Sequence, residues 1–303
     1  MIPIPDKNSR SFLRGGVFSG FRAAAALGAA GLLLAAAGCF PQEAPRKIPT
    51  ATTLPDALRQ TETVEFAHLS GKTLTKFPDE LARCPKLWKL GLRQQAKAVL
   101  PEDFGTAFAR LRWLDIAQTS LRSLPPSFGA LAELEDLYLS DNMLESLPVQ
   151  VCELPRLRYL NLDRNPLASL PPEIGKLANL RWLRLNGTRI AALPDEIAQC
   201  KSLERLYLRS ARLESFPEAV TRLPALQRLD LSGNAALASV PDSLCEMSSL
   251  TRLDLHDCPR LSALPAEIGR LKGLRWLNVY NCNFGDEEKA RIRKALPGCE
   301  IAF

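Results

Sequence analysis

The stretch "LRYLNLDRNPLASLPPEIGKLANLRWLRL", Leu157 to Leu185, decides the reading of the chain. Leucines at Leu157, Leu160 and Leu162 are followed by a proline-led segment from Leu170, and the phrase restarts at Leu180 as "LRWLRL". Alternating leucines predict a short strand with one face inward. Pro171 predicts the first position of a helical piece, where its missing N–H costs nothing. An acid just after it, here Glu173, suits the positive end of such a piece. "LRWLDI" at Leu111 and "LRWLNV" at Leu274 copy the opening, so three of the four tryptophans share one slot.

Extended in both directions, the unit starts at Val64, Leu87, Leu111, Leu134, Leu157, Leu180, Leu203, Leu226, Leu250 and Leu274, a spacing of 23 or 24 residues. A half repeat precedes these, with Leu54, Pro55 and Leu58 in register. The proline slot is filled at Pro78, Pro101, Pro125, Pro148, Pro171, Pro194, Pro217, Pro241 and Pro265. One such unit cannot bury its leucines alone, whereas stacked units share a continuous core.

The pattern L-x-x-L-x-L-x-x-N-x-L-x-x-L-P-x-x-I-x-x-L-x-x resembles the leucine-rich repeat family, and closely the 23-residue class of Ras-group-related and Scribble-like proteins. The resemblance implies an α/β fold. It would be a right-handed solenoid shaped as a horseshoe, with a parallel β-sheet on the concave face and short helical or 3-10 segments on the convex face. The family's asparagine, which satisfies backbone groups in the turn, stands at Asn142, Asn165 and Asn234. Lys72, Gln95, Thr119, Thr188, Ala211, Cys258 and Cys282 replace it elsewhere. Thr and Cys can do part of that work; Ala211 cannot, which predicts a looser turn or a buried water there.

The N-terminal region reads as an address. Lys7, Arg10, Arg14 and Arg22 precede the uncharged run "AAAALGAAGLLLAAAGC", Ala23 to Cys39. That suits the apolar core of a secretory signal better than a membrane span. "LLLAAAGC" resembles the end of a bacterial lipoprotein signal, although Ala36 stands where the family prefers Leu. This implies lipidation at Cys39 and a bacterial cell-envelope location. Phe40 at the following position implies the outer membrane. The expected organisation is a signal over 1–38, a lipid-anchored linker over 39–53, repeats over 54–284 and a C-terminal cap over 285–303. Within the cap, Asp286 is expected to cap a helix, with Ile301 and Phe303 entering the core from a last strand.

Eight cysteines in an exported chain invite a disulfide reading. Cys84 and Cys200 share one convex slot about 24 Å apart at the usual strand spacing, too far to bond. Cys152 and Cys245 occupy another, four repeats apart. Only Cys258 and Cys282, in neighbouring repeats, are placed to pair, and small buried hydrophobes are the favoured reading.

Third, fifth and seventh places of each unit should point to the concave surface. They hold Trp113, Tyr138, Tyr159, Trp182, Arg184, Arg205, Tyr207, Arg209, Arg228 and Trp276, the candidate partner-binding set. Trp, Tyr and Arg are the types enriched at interface hot spots. The plainer account, rings stacking along a sheet as strand stabilisers, applies to some of them as well. Acids on the same face (Asp115, Asp136, Asp163, Asp230, Asp254) and a net charge of only +6 argue against a polyanion groove, so no nucleic acid is expected.

Catalytic chemistry finds little support. His68 and His256 are the only histidines, and they lie about 38 Å apart by strand spacing. "HDC" with Cys282 superficially suggests metal ligands, but His256 is expected to face solvent while both cysteines face inward. No phosphate loop, nucleophile elbow or kinase signature occurs, and no cofactor is expected. The sequence therefore points to a monomeric, non-enzymatic binder of a protein, held to the membrane by its N-terminal lipid. A glycan or peptidoglycan binder using Trp113, Tyr138, Tyr159 and Trp182 as platforms is the alternative, with a structural spacer third.

Overall fold

The computed structural model describes residues 47–71, 74–95 and 99–303. Cys39, the signal and the first part of the linker lie outside them. Twelve parallel strands are present among the described residues: β1 (Thr50–Ala51), β2 (Phe66–His68), β3 (Lys89–Gly91), β4 (Trp113–Asp115), β5 (Asp136–Tyr138), β6 (Tyr159–Asn161), β7 (Trp182–Arg184), β8 (Arg205–Tyr207), β9 (Arg228–Asp230), β10 (Arg252–Asp254), β11 (Trp276–Asn278) and β12 (Glu300–Ala302). They lie in sequence order in one open sheet. Pairing is offset by one whole repeat, so Leu160, Leu183, Leu206 and Leu229 face one another across β6 to β9. All four are buried, because an alternating strand must send one set of side chains to one face.

The sheet starts earlier than the half repeat at Leu54. Thr50 and Ala51 pair with Phe66 and Ala67 of β2, so part of the expected linker is the first strand. A two-residue strand carries no periodicity from which it could be read. It leads into α1 (Leu54–Arg59), whose first turn is capped by Thr53, its hydroxyl accepting from the Asp56 amide at 3.2 Å. Ala57 is the buried residue of α1, and Leu58 is exposed.

The convex side is built mainly of five-residue 3-10 segments such as Pro172–Lys176, Asp195–Gln199 and Glu218–Arg222, burying Ile174, Ile197 and Val220. At most repeats the slot proline sits one place earlier than expected, as the cap residue and not the first helical one. Pro194, extended with ψ 150°, accepts from the Ile197 amide at 3.1 Å. A cap must offer its carbonyl but need not offer an N–H, so proline fits there too. One convex piece is α-helical, α2 (Phe104–Ala107). It brings Phe104 and Phe108 together with Phe77 and Phe128, ring centroids 5.1 to 5.9 Å apart.

Each turn after a strand uses a residue of positive φ before the asparagine slot, from Gln94, Gln118, Asp141 and Arg164 to Asn281. The asparagine then serves the preceding repeat. Asn234 donates to the carbonyls of Leu208 (2.9 Å) and Leu231 (2.7 Å) and accepts from the amides of Ala211 (3.1 Å) and Leu213 (3.0 Å). Ala211 is thus tolerated partly because its own amide is satisfied from the next repeat. The turn has a second residue of positive φ at Arg212, a feature it shares with the Thr119 turn at Ser120. Substitutes find equivalent carbonyls: Thr188 Oγ1 donates to Leu185 at 2.8 Å and Cys282 Sγ to Leu255 at 3.1 Å. All seven described cysteines are free thiols. Burial pushes those of Cys152, Cys200 and Cys258 up to about 12.

The C-terminal end is closed by α3 (Asp286–Ala295) and β12. Gly285 is the cap residue, and Asp286 is the first residue of the helix, so its charge acts on the dipole without a capping hydrogen bond. Ile301 stands opposite Leu277, while Arg293 lies 4.6 Å over the Phe303 ring.

Candidate functional site on the concave face

A strand alternates its faces, so burying the leucines leaves the third and fifth places of each repeat on the opposite, open side. There the rings of Trp113, Tyr138, Tyr159, Trp182, Tyr207 and Trp276 are all half-buried. They are not isolated. Ring centroids run Phe66 to Trp113 at 6.0 Å, Trp113 to Tyr138 at 5.3 Å, Tyr138 to Tyr159 at 4.7 Å and Tyr159 to Trp182 at 5.7 Å. Interplanar angles from 35° to 79° make these edge and tilted contacts, the arrangement ring quadrupoles prefer. Trp113 reaches past β3 toward Phe66, with Lys89 in direct register between them and Gly91 leaving room beside it, where a methyl would lie 3.7 Å from the indole.

Cations cover several ring faces. Lys89 Nζ sits 4.6 Å from the Phe66 centroid and 4.4 Å from that of Trp113. Arg205 lies 4.1 Å over Trp182, Arg184 5.1 Å over Tyr207 and Arg252 4.3 Å over Trp276. Phe66, Lys89 and Arg252 were absent from the candidate set, yet all three occupy the same third-place row. Their column, and not their residue type, was the signal.

The face divides along its length. From β2 to β7 it is an aromatic row; from β8 to β10 the third place is Arg205, Arg228 and Arg252 in direct register. Arg184 is held internally, its Nε and Nη2 at 2.8 and 2.7 Å from Asp163 Oδ2. Asp163 has a side chain only 2% exposed and also accepts from the Asn186 amide. Arg184 therefore serves the fold as well as the surface. Arg209 is exposed. Burial raises the Tyr159 phenol to about 12 and also raises Tyr138, so both hydroxyls stay protonated.

Two expectations about this face are corrected. The seventh place is only partly open: Ala117, Ser140, Asp163 and Ser232 are buried where the chain turns inward toward the asparagine slot, whereas Arg209 and Tyr280 are exposed. His256 does not face solvent. Its side chain is 17% exposed, with Nδ1 at 2.6 Å from Asp254 Oδ1 and Nε2 at 3.6 Å from Asp257. Among the described residues no group of three His, Cys, Asp or Glu side chains is placed to hold a metal.

The leucine-rich repeat region family matches residues 149–208 and 171–299, and a second leucine rich repeat family matches 109–167. The chain is a leucine-rich-repeat protein. Solved structures of the same fold include the leucine-rich repeat domain of the type III effector XopL, at 28% identity and TM-score 0.61 over 82% of this chain and 79% of that one. The Arabidopsis receptor kinase HAESA, solved with the peptide hormone IDA and the co-receptor SERK1, matches at 26% identity and TM-score 0.63. The match covers 73% of this chain and 39% of HAESA. Drosophila Toll, solved with Spatzle, shares the fold at 24% identity and TM-score 0.64, over 74% of this chain and 34% of Toll. The leucine-rich-repeat chain thus spans well under half the length of the two receptors. No curated protein matches it.

Proposed function

We propose that this leucine-rich-repeat chain is a non-enzymatic, lipid-anchored binding protein of the bacterial cell envelope, of the 23-residue class, that captures a protein or peptide on its concave face. The anchor is Cys39 at the end of the signal-like segment, with the outer membrane as the site that Phe40 suggests. The observation that carries the binding reading is the continuous row Phe66, Trp113, Tyr138, Tyr159 and Trp182 on an open sheet. Large half-exposed rings beside arginines are how protein interfaces concentrate their energy, and a fold supported by leucines has no need of them. HAESA, whose structure holds a peptide and a protein, gives an example of the fold used in this way.

The glycan reading is less well supported. A sugar stacks on an open ring face, and Lys89 and Arg205 already occupy faces of Phe66, Trp113 and Trp182. The test is capture from the envelope fraction with the full chain as bait, beside a Tyr159→Ser, Trp182→Ser variant whose circular dichroism is unchanged. A partner lost only with the variant supports the reading. A partner retained by both, or a muropeptide that quenches tryptophan emission in the wild type alone, overturns it. Arg184 is left intact in this design because removing it would strand Asp163.

A further inference from the structure

Three arginines in direct register on β8, β9 and β10 need an explanation. Arg205 faces Arg228, and Arg228 faces Arg252, at the roughly 4.8 Å spacing of adjacent strands. Like charges placed opposite one another destabilise a sheet, so folding does not account for the column. Two other arginines on this face are matched, Arg93 with Asp115 and Arg184 with Asp163. These three are not. Among the described residues Arg205, Arg228 and Arg252 make no ion pair, and the Arg228 side chain has no partner of any kind. Arg205 Nε is buried without a hydrogen-bond acceptor.

Each neighbouring acid has one oxygen engaged elsewhere. Asp230 Oδ1 accepts from the Ser232 amide (3.0 Å) and hydroxyl (2.6 Å), and Asp254 Oδ1 is held by His256. The guanidinium carbons of the outer two lie over the rings of Trp182 and Trp276, 4.1 and 4.3 Å from the centroids. Stacking uses the face of a guanidinium and leaves its in-plane N–H donors for a carboxylate. Tyr207, Arg228, Asp230, Arg252, Asp254 and Trp276 line a depression of about 210 Å³ at this place.

Resting on the concave-face reading above, we infer that Arg205, Arg228 and Arg252 form an anion subsite that takes the carboxylates of an acidic, extended segment of the partner. The geometry fits an alternating pattern. Same-side residues of an extended chain recur at about 6.8 Å, and three arginines in register span about 10 Å, so two acids separated by one residue reach all three.

The test uses the full chain and a fluorescein-labelled hexapeptide alternating glutamate and serine, beside its glutamine and serine counterpart, read by fluorescence anisotropy. The acidic peptide is expected to bind and the glutamine peptide not, with affinity falling as salt is raised. The Arg228→Gln, Arg252→Gln variant is expected to weaken binding at least tenfold. Arg270→Gln, on the convex side, controls for net charge and should leave binding unchanged. Thermal midpoints should hold or rise in the concave variant, since it relieves a like-charge column. Equal binding of both peptides, or a double variant no weaker than Arg270→Gln, overturns the subsite. If that happens while Tyr159→Ser, Trp182→Ser still abolishes capture, the concave face stands and only its acidic specificity falls.

Discussion

Asn234 shows how much of a turn one side chain can hold. Its amide is fully buried, donates to two carbonyls and accepts from two amides of the preceding repeat. Asn234→Ala leaves those backbone groups unpaired in a dry interior, where each costs about 1–3 kcal/mol and partial relaxation recovers some of it. We expect a loss of about 3 kcal/mol in urea unfolding, and a smaller loss for Asn234→Thr, because Thr119 and Thr188 show the hydroxyl still reaching a carbonyl. Asp136 behaves in the opposite sense. It lies in register between Trp113 and Tyr159, and burial, with Glu135 adding to it, raises its carboxyl above the ordinary 3.8. Between those two values the folded protein holds a proton that the unfolded chain has lost. The associated stability is therefore full below the ordinary value and is lost as the pH rises through the folded one. Asp136→Asn should raise the thermal midpoint at pH 7, and the gain should shrink to nothing as the pH falls below 3.8. A variant whose advantage is independent of pH would mean that burial of the charge is not the cause. Neither environment is visible in the sequence. The slot of Asn234 is, but the repeat it serves is not, because the hydrogen bonds run backward by one period.

At the scale of elements, close approach decides what can be changed. A methyl on Gly105 would lie 1.7 Å from the Ser127 carbonyl oxygen of the next repeat, so α2 packs with no room for a side chain. Gly105→Ala should cost about 1–3 kcal/mol, the usual range for overpacking, despite the gain in helix propensity; an unchanged midpoint would show that α2 can slide. The C-terminal cap rests on Arg291. It donates to the carbonyls of Leu264 at 2.8 Å and Ala266 at 3.1 Å, while Glu288 accepts from the Leu264 amide at 3.0 Å. Arg291→Ala should cost about 1–2 kcal/mol, discounted because the side chain is about a third exposed. Amide exchange should then speed first in β12, which only β11 holds. Strands, proline segments and the cap helix were legible because a period repeated ten times averages away local ambiguity. Where one copy departs from the period, the reading failed. Thr50–Ala51 is too short to show alternation, α2 is α-helical to bring two phenylalanines onto one face, and Asp286 yields the cap position to Gly285. The candidate site was legible by column but not by partner: nothing in the sequence separates Arg184, tied to Asp163, from Arg228, tied to nothing.

Among the described residues, each strand pairs, and each convex segment packs, with its neighbours in sequence. Stability in such an array is a sum of repeat terms and nearest-neighbour interfaces, and the core has no centre that every residue shares. Leu206 on β8 is fully buried and lies between Leu183 and Leu229, near the junction of the aromatic row and the arginine column. Leu206→Ala should cost about 2–5 kcal/mol. In a globular domain that loss would lower the unfolding midpoint at constant denaturant dependence, because all of the surface is still exposed in one step. Here it weakens two interfaces and leaves the repeats on either side with their own neighbours. The expected result is a broadened urea transition with a smaller apparent slope, and early amide exchange confined to β7, β8 and β9. A single sharp transition of unchanged slope would show the solenoid to be one cooperative unit, and a ligand bound across β2 to β10 would then be stabilised by the whole array and not only by the repeats it touches.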